Sequence, residues 1–134
     1  MSAAPTSLPV LRVTPMMVLA DITPALTRYE ALGFERVETG DAGCIGLRAG
    51  QTAVILASTS FVRGDFGAAN ASRLAGQTIN YIHVASVDEV SRGLASSAVI
   101  LQDARTRGGT RELLVDDNGD LFILFTDSTL VRIP

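Results

Sequence analysis

The sequence predicts an α+β domain built from two copies of one unit, a strand and a helix followed by three strands (βαβββ). Three observations carry this. A well-marked helix start follows the first apolar strand. Each half of the chain then holds three further strand-like segments. Val18-Leu19-Ala20-Asp21 also falls over Ala85-Ser86-Val87-Asp88 at half the length of the 134-residue chain.

Residues 1–9 are small and uncharged and read as an arm ahead of the domain, which spans 10–127. Val10 to Ala20 is rich in Val, Leu and Met and reads as a buried strand. Thr23 then offers an N-cap and Pro24 a first helical residue, with Ala25, Leu26, Tyr29 and Leu32 on one face. Gly33 supplies the left-handed stop and Phe34 packs back. Phe34 to Glu38, Cys44 to Arg48 and Thr52 to Ala57 read as strands joined by turns at 40–43 and Ala49-Gly50. Module one is therefore about 10–57. Residues 58–78 are small and polar and read as a linker, with a short helix near Ala68 to Leu74.

Module two, about 79–127, repeats the order. Ile79 to Ser86 is a strand, and Asp88 caps a short helix carrying Val90 and Leu94. Ala98 to Gln102, Thr110 to Val115 and Leu121 to Phe125 are strands, the last two joined by a hairpin at Asp117-Asn118-Gly119-Asp120. Residues 128–134 form a tail.

Composition excludes several chemistries. All eleven basic residues are Arg, so there is no Schiff-base or phosphate-loop lysine. One Cys (Cys44) and one His (His83) rule out an intrachain disulfide, a four-Cys zinc site and a two-His metal site from one chain. A net charge of −3 gives no basic surface for nucleic acid. Met1 to Leu11 lacks a charged signal-peptide start, and the longest stretch free of Asp, Glu, Arg and His, Ala49 to Val62, is too short to cross a bilayer. The expected setting is the cytoplasm, without a membrane or nucleic-acid partner. The glycines at 40, 43, 46 and 50 lie between strands and form no phosphate loop. Asp116 to Asp120 is no calcium loop, since Leu121 stands where its turn glycine belongs.

Ala20-Asp21 followed by Tyr29-Glu30-Ala31-Leu32-Gly33-Phe34, and Gly109-Thr110-Arg111-Glu112 followed by Asp116-Asp117-Asn118-Gly119-Asp120-Leu121, resemble the glyoxalase / bleomycin-resistance / extradiol-dioxygenase superfamily, the vicinal oxygen chelate proteins. Asp117 replaces the usual Pro of the last hairpin, and Asp120 the usual Asn. The resemblance implies that the modules form paired curved mixed sheets around a cleft, often in a homodimer. Metal-dependent members carry a His or carboxylate on the first and last strand of each module. Carried over by spacing, those positions here are Thr14, Leu56, Ile82 and Ile123. One hydroxyl and three aliphatic side chains cannot hold a divalent cation. The resemblance is therefore to a metal-free branch, with no cofactor and no assigned catalytic residue.

Strand alternation gives the expected cavity lining: Thr14, Met16 and Val18; Thr52, Val54 and Leu56; Ile82 and Val84; Leu121, Ile123 and Phe125. Such a lining suits a small apolar ligand, with Thr14 and Thr52 orienting it and Arg48, His83 and Arg111 as further polar contacts. His83 as a base competes with a satisfied strand histidine, and Cys44 as a nucleophile with an inert buried thiol. Arg105, Arg107 and Arg111 gripping an anion compete with pairing to nearby carboxylates. Three functions remain open: a metal-independent binding protein sequestering a drug-like or metabolite ligand, an antibiotic-resistance role among them; a lyase, isomerase or dioxygenase-like enzyme that lost its metal; and a dimeric module without ligand. The apolar positions favour the first.

Overall fold

In the computed structural model, which describes residues 10–94, 98–105, 111–117 and 121–127, the two modules sit side by side in a single eight-stranded sheet. Module one is β1 (Val10–Leu19), α1 (Thr23–Ala31), β2 (Glu35–Asp41), β3 (Cys44–Ala49) and β4 (Thr52–Ser58). A helix α2 (Thr59–Leu74) leads to module two: β5 (Thr78–Val84), α3 (Val87–Gly93), β6 (Ala98–Arg105), β7 (Arg111–Asp117) and β8 (Leu121–Thr126). The strand order is β2-β3-β4-β1-β5-β8-β7-β6. In each module the first and last strands pair in parallel, and the modules join where β1 runs antiparallel to β5.

Capping differs from the sequence expectation in both module helices. The cap position of α1 is Ile22, and it is Asp21 that accepts from the Thr23 N–H, at 3.0 Å. Pro24 sits in the first turn as expected. For α3 the cap is Ser86, whose Oγ accepts from the Glu89 N–H at 3.2 Å, while Asp88 lies inside the first turn. Gly33 has φ of 105°, the positive value the stop requires, and Phe34 returns to meet Tyr29 edge-on at 5.0 Å between ring centroids. Leu32, expected on the buried face, is exposed because it lies just beyond the last turn.

Residues 59–74, read as a linker with a short helix near Ala68 to Leu74, are helical except at Gly67 (φ 86°, ψ 164°), which divides α2 into two legs, the second at the expected helix. Ser58 caps the first leg by accepting from the Phe61 N–H at 3.0 Å. Val62, Phe66, Ala71 and Leu74 are buried against the sheet. This packing outweighs the weak propensity of a Gly-, Ser- and Asn-rich segment.

Three apolar clusters show which way each strand faces. Ile22, Ala25 and Leu26 at α1 pack on Met17, Leu19, Ile45, Leu47, Val54 and Leu56. Val87 and Val90 of α3 pack on Ile82, Val84, Leu113, Val115, Ile123 and Phe125. The alternate residues, Met16, Val18, Ile55, Ala57, Ile79, Tyr81, Leu114, Phe122 and Leu124, meet α2. Helices α1 and α3 therefore cover one face and α2 the other.

The sheet curls around α2. One cavity touches Cys44 on β3, Met16 on β1, Tyr81 on β5, Leu124 on β8 and Glu112 on β7. In a flat sheet β3 and β7 would lie about 24 Å apart, five spacings of roughly 4.8 Å. The α2 face is thus the concave one, and α2 lies within the cleft.

Candidate functional site

The concave face carries most of the buried polar side chains. Thr14, Tyr81, His83, Glu112 and Thr126 are all buried, and among the described residues Asn70 is the one other buried polar side chain. Strand pairing assembles them: Thr14 lies opposite Tyr81, Arg12 opposite His83, His83 opposite Thr126 and Thr126 opposite Glu112. Each shares its strand's face with a residue of the α2 cluster, Met16, Ile79, Leu114 or Leu124, so the fold fixes their direction.

Tyr81 donates its phenolic hydrogen to Glu112 Oε2 at 2.5 Å. A contact this short is a charge-assisted hydrogen bond between groups shielded from water. Burial, and then the adjacent Glu112 carboxylate, push the Tyr81 pKa far above its ordinary value, so the phenol stays a donor at any physiological pH. His83 lies 5.1 Å from the Tyr81 ring, and neither of its ring nitrogens has a hydrogen-bond partner among the described residues. Burial, followed by the Arg12 guanidinium, lowers its pKa to about 4, so the imidazole is neutral at pH 7.

Between this face and the first leg of α2 lies a cavity of about 60 Å³, walled by Met16, Phe61, Val62, Phe66 and Leu124 with Tyr81, Glu112 and Cys44. The volume is well below the roughly 150 Å³ of an apolar cavity that admits benzene. A wider groove of about 240 Å³ lies beside the same leg, lined by Ala20, Thr59, Arg63, Ala71, Ser72 and Ala75. Its lining is mostly small and exposed. The smaller cavity is the better-built site, because its polar pair is buried and its walls belong to the core.

The cavity-lining expectations fare unevenly. Thr14, Met16 and Val18 do lie on the α2 face, with Met16 in the cavity wall. Val54 and Leu56 instead pack under α1, one residue out of register with Ile55. Thr52 shares their alternation, is exposed, and donates to the Ala49 carbonyl at 2.7 Å across the two-residue turn Gly50-Gln51. Ile82, Val84, Ile123 and Phe125 pack toward α3, and Leu121 is exposed at the start of β8. A one-residue slip reverses every side chain of a strand, so Tyr81 and Leu124 occupy the cleft positions assigned to Ile82 and Ile123.

Of the polar candidates, His83 is on the concave face, and Arg48 shares its register position with Ala53 of the α2 cluster. Arg111 is directed away: it grips Asp103 at 2.8 and 3.0 Å and pairs with Asp88 of α3, tying α3 to β6 and β7. That ion pairing lifts its pKa further above the ordinary value. Arg107 and the Asn118–Asp120 hairpin lie outside the described residues, as do the arm and the tail. Sequence reasoning missed Glu112 and Tyr81 as a pair. The available signal was alternation: Glu112 and Leu114 share a face, as do Tyr81 and Ile79.

The donor set does not suit a metal. Beside the four positions that the resemblance singled out, the concave face holds Thr14, Ile55, Tyr81 and Leu124, and among the described residues no three His, Cys, Asp or Glu side chains converge.

The curved sheet of paired βαβββ modules is the glyoxalase / bleomycin-resistance fold that the sequence resemblance implied. No protein-family model and no curated protein matches the chain. Solved structures do. A hypothetical protein of Bacillus halodurans superposes with a TM-score of 0.57 at 13% identity, over 96% of this chain and 98% of that one. Methylmalonyl-CoA epimerase of Mycobacterium tuberculosis gives 0.53 at 20% identity, over 94% and 91%. An uncharacterised protein of Methanosarcina mazei gives 0.53 at 18%, over 92% and 97%.

Proposed function

We propose that this chain is a metal-independent small-molecule binding protein that takes an apolar ligand, or the apolar part of one, on the concave face beneath α2. The observation that carries this reading is the cavity under the first leg of α2, where Met16, Phe61, Phe66 and Leu124 surround the buried Tyr81–Glu112 pair. Ligand sites combine an apolar wall with a few placed polar groups in this way. The wall supplies affinity by burial, at roughly 25 cal/mol per Å² removed from water. The pair supplies orientation: Glu112 accepts from a ligand hydroxyl or N–H, while Tyr81 holds the carboxylate in place. The donor chemistry supports metal independence, since Thr14, Ile55, Tyr81 and Leu124 bring two hydroxyls and no imidazole or carboxylate to these four positions, and the Tyr81 phenol is engaged with Glu112.

Thermal unfolding with indole, phenol and cyclohexanol tests this. A bound probe raises the midpoint with concentration by mass action. A saturable rise for at least one of them, lost in Leu124→Asp and retained in Ile123→Asp, is the expected result. No rise with any of the three refutes the reading.

Exposed Val10, Leu11 and Val13 on β1 and Val99 and Ile100 on the edge strand β6 support a homodimer, which sedimentation velocity at micromolar concentration checks. No helix among the described residues is long and apolar enough to cross a membrane. A single cysteine, Cys44, leaves no intrachain disulfide, which fits the reducing cytoplasm we propose as its setting.

A further inference from the structure

One row of residues crosses the concave face just past the cavity. Strand pairing sets its order: Arg12 on β1, His83 on β5, Thr126 on β8 and Glu112 on β7, each opposite the next. All four follow the alternation of the α2 face, Arg12 with Met16, His83 with Tyr81, Thr126 with Leu124 and Glu112 with Leu114. The row is polar throughout, and its two charges stand at opposite ends. Three strand spacings, roughly 14 Å along the sheet, separate the Arg12 and Glu112 backbones. The carboxylate end turns to the cavity, where Glu112 accepts from the Tyr81 phenol at 2.5 Å. His83 feels the other end: after burial, the Arg12 guanidinium is the charge that lowers its pKa.

His83 is the odd member of the row. It is 4% exposed, yet neither ring nitrogen bonds to a described residue. A neutral imidazole carries one N–H donor and one acceptor, and leaving them unmade in the interior is costly. An aliphatic residue, such as Ile79 on the same strand face, avoids that cost. The imidazole therefore calls for a polar partner that the described residues do not supply. The sign of that partner follows from Arg12. A guanidinium has five N–H donors, so it can serve an added acceptor, and the field it sets at His83 favours an anion. Arg12 is half-buried, and Val10, Leu11 and Val13 around it are exposed, so the positive end of the row reaches the surface at the start of β1. On the inner side, Tyr81 belongs to the cavity wall and its ring lies 5.1 Å from the imidazole. Row and cavity are thus one step of two strand residues apart, roughly 7 Å.

We propose that Arg12 and His83 form an anion pole for the ligand of the concave face, and that this ligand is a carboxylic acid with a slender apolar tail. The carboxylate accepts from the Arg12 guanidinium and the His83 N–H. The tail passes Tyr81 into the cavity of about 60 Å³, which is too narrow for an aromatic ring. Glu112 in the cavity wall repels the acid head, so the tail and not the head enters. The tail rests on the binding reading above, while the anion pole rests on the row alone.

His83 is the one histidine of the chain, so its imidazole gives a single NMR signal in untagged protein. Hexanoate, hexan-1-ol and acetate are titrated at pH 7, with the thermal midpoint followed in parallel. The expected result is a saturable shift of the His83 signal with hexanoate, and binding of hexan-1-ol and of acetate each weaker by roughly ten-fold or more. Arg12→Gln weakens hexanoate by a similar factor and leaves hexan-1-ol unchanged. Equal binding of hexanoate and hexan-1-ol overturns the anion pole and leaves the apolar reading in place. Hexanoate binding that does not move the His83 signal, or that Arg12→Gln leaves unchanged, does the same. Acetate binding at His83 as tightly as hexanoate keeps the pole and removes the apolar tail. No binding of any probe overturns both. The three probes are compared on the wild-type protein, so the comparison decides even if Arg12→Gln does not fold.

Discussion

Removing one oxygen atom, in Tyr81→Phe, probes the centre of the concave face. The phenol donates to Glu112 at 2.5 Å, and both residues are buried, at 9% and 6% exposure. A hydrogen bond to a charged group is worth about 1.5–3 kcal/mol, and leaving a buried acceptor short of a donor adds to the loss. Phenylalanine keeps the ring and its packing, so no cavity cost enters. The expected destabilisation is therefore about 2–3 kcal/mol, a fall of about 10 °C in midpoint for a domain of this size. Urea unfolding with an unchanged m-value measures it directly. The double variant Tyr81→Phe/Glu112→Leu supplies the control. If the pair is a mutually satisfied unit, removing both partners costs less than the sum of the two single losses. A Tyr81→Phe loss below about 0.5 kcal/mol, or strict additivity in the cycle, would refute the reasoning.

Acid should weaken the fold through His83. Its pKa falls from about 6.5 unfolded to about 4 folded, so the unfolded chain binds the extra proton between those values. The contribution is complete above about pH 6.5 and is lost as pH falls through 4, to a total of about 3 kcal/mol. The pH-dependence of wild type minus His83→Leu isolates it, and a flat difference across that window contradicts it. Gly33→Ala should cost about 1–2 kcal/mol by denaturant melt, from positive φ alone, since a Cβ there meets nothing within 4 Å. Arg111→Met should lower the midpoint in low salt and barely in 1 M salt, because its ion pairs with Asp88 and Asp103 lie at the surface.

The parts of the fold readable in the sequence are those with local chemical causes. Gly33 ends α1 because a positive φ is needed there, and the half-chain repeat reports two modules that must each bury one face. Thr14, Met16 and Val18 share the α2 face of β1, as period-two alternation places them. Leu56, Ile82 and Ile123 take the opposite face, under α1 and α3, because their strands are apolar on both faces and period-two alternation leaves no mark. Apolar cover from α1 and α3 on one side and α2 on the other makes both faces look alike in sequence. Helix α2 is obscured by Gly64 and Gly67, although Val62, Phe66, Asn70 and Leu74 recur every four residues across the break. The Tyr81–Glu112 pair is invisible for a different reason. Its members are 31 residues apart, and only the pairing of β5, β8 and β7 brings them together over one cavity.

Titration calorimetry of indole into protein dialysed against EDTA tests the central claim most directly. The account predicts saturable one-to-one binding in EDTA, unchanged when zinc, manganese or nickel is restored. Binding that appears only after a divalent cation is added, or no binding under either condition, contradicts it.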